Sequence, residues 1–209
     1  MEVVDFYDRD LAELPADFCA HVDAEVVLVA NNRLTSLPAC IARMTRLRTL
    51  DAGHNQIVEV PALPEISDFV YLHDNCIIDV SFRTFGKLKY LNLGDNPLAP
   101  LPDGIEIMQS LEELRLENSG LESLPESIGR LGRLAELALR GNALASLPDS
   151  VRALERLTHL DLRGNRFTSL PPFLAELPRL LKLDLRWNRG LVPPPWIEAL
   201  RDRGCRVLL

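Results

Sequence analysis

The chain has 209 residues, of which 47% are hydrophobic and 25% are charged, and its formal net charge is −7. This length and composition predict one globular domain with a sizeable core, and no apolar run is long enough to span a membrane. The acidic balance argues against nonspecific nucleic-acid binding. The charge is uneven, because residues 1–104 hold 16 acidic and 8 basic residues whereas residues 105–209 hold 14 and 15.

The start of the chain and its cysteines bear on the compartment. The first ten residues, MEVVDFYDRD, lack the basic and apolar segments of a secretory signal. Cys19, Cys40, Cys76 and Cys205 lie far apart and form no C-x-x-C pair for metal or redox chemistry. We therefore expect a cytoplasmic protein with free, mostly buried thiols. The alternative is an effector that is secreted without a cleaved signal peptide.

An asparagine position recurs along the chain with steps of 23, 20, 21, 23, 23, 23 and 23 residues. In chain order its members are Asn32, Asn55, Asn75, Asn96, Ser119, Asn142, Asn165 and Asn188. In the copy RLTHLDLRGNRFTSLP (156–171), two alternating leucines precede the asparagine, as in a short strand, and a turn follows it. A fixed period of this length predicts a protein of stacked repeats.

The repeated pattern resembles the leucine-rich repeat family, L-x-x-L-x-L-x-x-N-x-L, in the 23-residue L-P-x-x-I-x-x-L form of bacterial and plant intracellular members. The resemblance implies an α/β fold, an open right-handed solenoid or horseshoe with a concave parallel sheet and short convex helices. We predict a single domain over 1–209, with an N-terminal capping repeat (1–22), eight repeats (23–192) and a C-terminal cap (193–209). Within the last of these, 196–200 suits a helix and 205–209 a final strand.

The asparagines are predicted to form a structural ladder. Their side chains carry both an acceptor and donors, so each can bond backbone groups of adjacent turns that would otherwise be buried unpaired. The hydroxyl of Ser119 satisfies only part of this demand, and a local shift that uses Asn118 instead is the alternative.

Leu-Pro pairs mark where each rung leaves the sheet. They are Leu14-Pro15, Leu37-Pro38, Leu101-Pro102, Leu124-Pro125, Leu147-Pro148 and Leu170-Pro171. Proline suits the start of a helical turn, so a short α- or 3₁₀ helix is expected after each pair. The rungs of 20 and 21 residues, between Val58 and Lys89, lack room for that helix.

Two groups of residues stand out at positions predicted to face outward from the concave sheet. The aromatic patch comprises Phe69, Tyr71, His73 and Tyr90 and is interpreted as an interface anchor. The arginine column comprises Arg140, Arg163 and Arg186, ending beside Trp187. It can be a solvated ladder paired with Asp161 and Asp184, an anchor for acidic groups of a partner, or a small-molecule anion site. Arg115 lies between the two groups and is included among the candidate contacts.

Catalytic and metal chemistry find little support in the sequence. His54 and His73 lie on neighbouring rungs near Asp51 and Asp74, so a zinc site is conceivable, but the pattern is unspecific and surface histidines explain it better. Gly-rich phosphate loops, G-x-S-x-G, H-E-x-x-H and kinase motifs do not occur. We predict no metal, no cofactor and no enzymatic activity.

The favoured function is protein–protein interaction through the concave face, with no nucleic-acid or membrane partner and a monomer favoured over a homodimer. One alternative is the substrate-recognition part of a bacterial effector ubiquitin ligase or of a repeat kinase. The cap-like ending, RGCRVLL, favours a complete protein instead. The other alternative is a scaffold that self-associates through the aromatic patch.

Overall fold

The computed structural model describes residues 1–98, 100–101 and 104–209. Within these residues, ten parallel strands form one open sheet whose order follows the chain. The strands are β1 (Val3–Asp5), β2 (Val26–Leu28), β3 (Thr49–Asp51), β4 (Phe69–Tyr71), β5 (Tyr90–Asn92), β6 (Glu113–Arg115), β7 (Glu136–Ala138), β8 (His159–Asp161), β9 (Lys182–Asp184) and β10 (Arg206–Leu208). The predicted open solenoid with a parallel sheet is confirmed.

The alternation of side chains along each strand builds the core. The middle residue of every strand points inward and is buried: Val4, Val27, Leu50, Val70, Leu91, Leu114, Leu137, Leu160, Leu183 and Val207. The residues on either side lie on the opposite face, where all except Asp184 are at least partly exposed. Successive residues of a strand face opposite ways, so this short motif suffices to place one apolar rung above the next.

The opposite side of the solenoid carries short 3₁₀ helices. Their bounds are Ala16–Ala20, Ala39–Arg43, Ile105–Ile107, Glu126–Arg130, Asp149–Ala153 and Pro172–Glu176. Five of these six follow the proline of a predicted Leu-Pro pair directly, with that proline as N-cap and φ between −64° and −70°. Pro102, of the remaining pair, lies outside the described residues.

The two short rungs lack such a helix, as their length predicts. All of 58–89 is described, and it contains strand β4 but no helix. Phe82 and Phe85 are buried in this stretch with their ring centroids 6.3 Å apart. The core is therefore closed by large apolar side chains in this stretch, without a helix.

The asparagine side chains lie between neighbouring turns. In the rung of Asn55, the side-chain oxygen accepts a hydrogen bond from the N–H of Leu34 at 3.0 Å. The side-chain nitrogen donates to the carbonyls of Val29, Ala52 and Gly53 at 3.0–3.1 Å. The same two-sided bonding to backbone groups occurs at Asn32, Asn75, Asn96, Asn142, Asn165 and Asn188.

Ser119 takes only the donating half of this role. Its hydroxyl lies 3.1 Å from the carbonyl oxygen of Glu117 and 3.4 Å from that of Leu93. The N–H of Leu98, one turn earlier, bonds to the carbonyl of Asn96 instead. The alternative register is not adopted, because Asn118 is exposed and donates to Asp95 at 2.8 Å.

The C-terminal segment follows the sequence prediction closely. Helix α1 (Ile197–Asp202) is followed by β10, which pairs with β9. Trp196 is partly buried against the core beside the helix. The division into two caps and eight repeats stays a prediction.

The cysteine prediction was wrong for two residues. Cys19 and Cys40 form a disulfide that joins the first two 3₁₀ helices. Both follow a Leu-Pro pair by a few residues in adjacent rungs, so the convex turns bring their Cα atoms to 5.7 Å. Of the remaining two, Cys205 is buried and Cys76 is exposed. The expectation of a cytoplasmic location rested in part on four free thiols, and only Cys76 and Cys205 are free.

Candidate functional site

Strands β4 and β5 bring the aromatic residues together. Phe69 and Tyr90 are register partners across the two strands, and Tyr71 is paired with Asn92. The first and third residues of each strand face away from the core, so all three rings lie on the exposed face of the sheet. His73 lies just beyond the end of β4.

The three benzene rings form a continuous surface. The ring centroids of Tyr71 and Tyr90 are 4.8 Å apart, and Phe69 lies 5.9 Å from Tyr90 and 6.3 Å from Tyr71. These distances are in the range of favourable aromatic pairs. Phe69 is 42% exposed, while both tyrosines are half-buried. Burial raises the pKa of Tyr90 to about 12 and also raises the pKa of Tyr71, so both hydroxyls are neutral near pH 7.

His73 extends the patch towards the rim of the sheet. Its ring centroid lies 6.4 Å from that of Tyr71 and 4.6 Å from that of His54, on the preceding rung. Burial, and after it the neighbouring His54, lowers the pKa of His73. The imidazole is therefore neutral at pH 7 and adds to the aromatic surface.

Carboxylates surround this surface. Asp51 lies beside Tyr71 on β3, and its charge contributes, after burial, to the raised pKa of Tyr71. Asp74 and Asp95 are exposed at the ends of the next two rungs. The patch thus combines apolar rings with a negative rim, an arrangement that complements a partner carrying apolar and basic side chains.

The arginine column is largely paired within itself. The Nε of Arg163 lies 2.9 Å from both carboxylate oxygens of Asp161 and 3.5 Å from Asp184. Arg186 donates twice to Asp184, at 2.8 and 2.9 Å. Burial alone would raise the pKa of Asp184, but hydrogen bonds from Arg186 and the nearby arginine charges lower it overall. This geometry favours the interpretation of a self-paired charge ladder for Arg163 and Arg186.

Trp187 ends the column in an unusual backbone conformation. Its φ is 64°, and the corresponding positions of the two preceding rungs are Gly141 and Gly164, which also have positive φ. The indole is 66% exposed, and the guanidinium carbons of Arg163 and Arg186 lie 5.8 and 5.5 Å from its centroid. A left-handed conformation costs a bulky residue roughly 1–2 kcal/mol. Strained residues are often found at functional sites, so this exposed indole is a candidate contact.

Arg115 and Arg140 differ from the other two arginines. Arg115 pairs with Glu113 at 2.5 Å and lies 3.7 Å from Glu117, whose pKa is raised mainly by burial. For Arg140, no ion pair is found among the described residues. Between Arg115 and Arg163 the small side chain of Ala138 leaves a hollow of about 200 Å³ in the sheet face.

The sequence analysis missed one charge cluster on the flank of the sheet, in which two half-exposed cations bond the buried carboxylate of Asp68. Asp68 is buried and accepts hydrogen bonds from Arg48 and Lys89, each at 2.9 Å. The hydrogen bond from Lys89 is the largest cause that lowers the pKa of Asp68. Arg48, Asp68 and Lys89 each directly precede one of the strands β3, β4 and β5. Comparing this position between neighbouring repeats would have shown that the three charges lie side by side.

The described part of the chain adds two negative findings. Across residues 1–98, 100–101 and 104–209, no group of three or more histidine, cysteine or acidic side chains is arranged to hold a metal ion. Over the same residues, every helix is too short to cross a membrane.

The sequence is similar to known leucine-rich repeat proteins. Residues 109–167 and 132–189 match the family model for the leucine rich repeat. Over 122 residues, 53% of this chain, the sequence is 30% identical to the probable inactive serine/threonine-protein kinase roco10 of Dictyostelium discoideum, and the match spans 4% of that protein.

Two solved structures are similar along nearly the whole chain. A leucine-rich repeat protein of Leptospira interrogans superposes with a TM-score of 0.85 at 28% identity, covering 95% of this chain and 52% of that one. TLR13, in a complex with ssRNA13, superposes with a TM-score of 0.77 at 24% identity, covering 92% of this chain and 30% of that one. The likeness to TLR13 concerns the fold alone. The repeat matches over residues 109–189 and the likeness to the Leptospira protein support a place for this chain in the leucine-rich repeat family.

Proposed function

We propose that this protein binds a partner protein on the exposed face of its parallel sheet and catalyses no reaction itself. The observation that carries the proposal is the continuous surface of Phe69, Tyr71 and Tyr90, with centroids 4.8–6.3 Å apart. Aromatic side chains dominate the energetics of protein interfaces, and tyrosine is enriched among the residues that contribute most.

The strands support this role by holding the rings in place before binding. Each ring lies on a strand that pairs on both sides, so little backbone freedom is lost when a partner docks. The carboxylates of Asp51, Asp74 and Asp95 favour a partner segment in which an apolar side chain is flanked by lysine or arginine.

The arginine column is a second contact region in this proposal. Its charges are partly neutralised by Asp161 and Asp184. Trp187, which is exposed, and Arg140, which has no ion pair within the described part of the chain, are therefore its most available groups. Arg115 and the hollow beside Ala138 lie between this region and the aromatic patch, so an extended partner can contact both.

The test is capture of partners from host-cell lysate with the parent and with a Tyr71→Ala/Tyr90→Ala variant. A protein captured by the parent but lost in the variant, at an unchanged thermal midpoint, supports the proposal. The matched control is Tyr7→Ala, because Tyr7 is an exposed tyrosine outside the patch and its replacement should leave capture intact. Capture that survives in the double variant would contradict the aromatic patch, and its loss in Arg140→Ala/Trp187→Ala would assign the contact to the arginine column.

A second candidate function is recognition within a larger enzyme, such as a ubiquitin ligase or a repeat kinase. The relative named a probable inactive serine/threonine-protein kinase favours only a place within a larger protein, and the match spans 4% of that relative. The length of the native open reading frame distinguishes this candidate from a free-standing module. A self-associating scaffold is the third candidate, and light scattering that finds a monomer at high concentration would eliminate it.

The location, the 23-residue subtype and the absence of nucleic-acid partners remain predictions. The Cys19–Cys40 disulfide suits an oxidising compartment better than a reducing cytosol.

A further inference from the structure

Two imidazoles meet at the rim of the sheet, next to the aromatic patch. His54 follows β3 and His73 follows β4, and their Nε2 atoms lie 3.2 Å apart. Two nitrogens that bind one metal ion at about 2.0–2.1 Å, at an angle between a right angle and the tetrahedral angle, lie about 2.9–3.4 Å from each other. The observed separation falls in this range.

Asp74 fixes the tautomer of His54. Its carboxylate lies 2.7 Å from Nδ1 of His54, which therefore carries the proton and donates it. In this tautomer of the neutral ring, the lone pair of His54 is on Nε2 and faces His73. A carboxylate bonded to the far nitrogen of a histidine is the usual partner of a metal-binding imidazole.

His73 is held in place by close packing on Gly53. A Cβ at position 53 would lie 2.5 Å from Cε1 and 2.8 Å from Nδ1 of His73, so any larger residue there would displace the ring from its observed position. Nδ1 of His73 is buried and has no hydrogen-bond partner among the described residues. This leaves Nε2 as the accessible nitrogen, and it is the one that faces His54.

We propose that His54 and His73 form a two-histidine site for a divalent transition metal ion such as Zn²⁺ or Cu²⁺, with Asp74 as a positioning residue. Imidazole nitrogens suit these ions, and the carboxylates of Asp51 and Asp95 nearby raise the local concentration of cations. The described residues supply no group of three or more ligands, so the remaining coordination positions are open to water. The site shares His73 with the aromatic patch, but metal binding can be measured without any protein partner.

The test uses untagged protein that has been freed of metal with a chelator. Zn²⁺ is titrated by calorimetry, and Cu²⁺ by electron paramagnetic resonance, which counts coordinated nitrogens. The expected result is one ion per chain with two nitrogen ligands, and an affinity at least about tenfold lower in His54→Ala and in His73→Ala. Asp74→Asn should weaken binding about 10–100-fold while both nitrogens remain coordinated.

His159→Ala is the matched control, because His159 also lies on the sheet face and has a carboxylate, that of Glu136, 3.8 Å away. This variant should bind both ions as the parent does. The proposal is overturned if the parent binds neither ion at millimolar concentration, or if binding persists unchanged in both histidine variants. Thermal midpoints of all variants establish that a lost signal reflects a lost ligand and not a lost fold. In the overturned case the 3.2 Å contact is a hydrogen bond between two neutral imidazoles.

Discussion

The side-chain oxygen of Asn142 accepts a hydrogen bond from the backbone N–H of Ser119 at 3.0 Å, and a second from Leu121 at 3.0 Å. Its side-chain nitrogen donates to two carbonyls, those of Leu116 and Leu139. One asparagine therefore satisfies four backbone groups that are buried between neighbouring turns.

Asn142→Ala should lower the free energy of unfolding by about 3–5 kcal/mol, because it leaves two buried N–H groups without an acceptor. Ser119→Ala should cost only about 1 kcal/mol, since its hydroxyl donates to carbonyls and accepts no backbone bond in the structure. Denaturation in urea, followed by circular dichroism, measures both. Equal losses for the two variants would contradict the assigned roles.

Gly53→Ala should displace the imidazole of His73 with little loss of stability, since a side-chain ring can rotate away more easily than backbone can move. Long-range ¹H–¹⁵N imidazole spectra should report the displacement. Gly132→Ala is the control, because a Cβ there meets no atom within 4 Å. Unchanged His73 signals in Gly53→Ala would show that the close packing on Gly53 does not hold the ring.

Asp68→Asn should destabilise the protein by about 1–3 kcal/mol at pH 7, because it removes a buried carboxylate that bonds Arg48 and Lys89. The folded pKa of Asp68 is lowered, chiefly by the hydrogen bond from Lys89, so this stabilisation is present above the unfolded pKa of about 4 and is lost as the pH falls through the folded pKa. Urea denaturation at a series of pH values should therefore show the difference between parent and variant shrinking in acid. A difference independent of pH would mean that the carboxylate charge is not what stabilises this site.

Reduction of the Cys19–Cys40 disulfide should lower the free energy of unfolding by about 3 kcal/mol, the loop-closure estimate for a separation of 21 residues. A Cys19→Ala/Cys40→Ala variant should match the reduced parent and should not respond to reductant. Cys76→Ser serves as the control that still responds, because Cys76 is a free thiol. Denaturation with and without reductant makes the comparison, and a parent insensitive to reductant would contradict the bond.

A tyrosine that ionises only near pH 12 should be visible in ultraviolet titration of the phenolates. Burial raises the pKa of Tyr90 to about 12, and Tyr90→Phe should remove this late component. Because the folded pKa is above that of the unfolded chain, the contribution of Tyr90 to stability is complete below pH 10 and is lost as the pH rises further. If the late component persists in Tyr90→Phe, another tyrosine is the buried one.

Much of the fold could be predicted from the sequence, because each rung repeats the same short pattern. The alternation of Leu160 and Leu162 before Asn165 predicts a short strand with inward residues, and the neighbouring copies of the repeat predict parallel pairing and the ladder. The absence of a helix between Val58 and Lys89 was predicted because these rungs have only 20 and 21 residues. The 3₁₀ helices were predicted from the proline that precedes most of them.

The lateral contacts were harder to predict, because they depend on distances between rungs. Cys19 and Cys40 occupy different offsets from their prolines, and only the tight convex turns bring them together. His54 lies one residue before Asn55 and His73 lies two residues before Asn75, so the two histidines do not occupy equivalent positions of the repeat. Their spacing therefore did not predict that their nitrogens would face each other. The sequence predicted that Asp161 and Asp184 lie beside the arginines. It did not predict that Arg163 would pair with Asp161 and Arg186 with Asp184, in each case the aspartate at the end of the strand that precedes the arginine.

The stretch without a convex helix affects how the two ends of the molecule respond to force. From Ile105 to Glu176 the 3₁₀ helices pack against one another in series. Between Val58 and Lys89 no helix adds to the links between rungs, which are made by the sheet, the core, the asparagine ladder and ion pairs such as those of Asp68. Each rung of a solenoid contacts only its neighbours, so mechanical tension along the axis is borne by fewer contacts at this joint. The rings of Phe69 and Tyr90 lie on the two strands of this stretch. A partner bound across both rings would add contacts there, so the two ends of the solenoid would unfold together under tension.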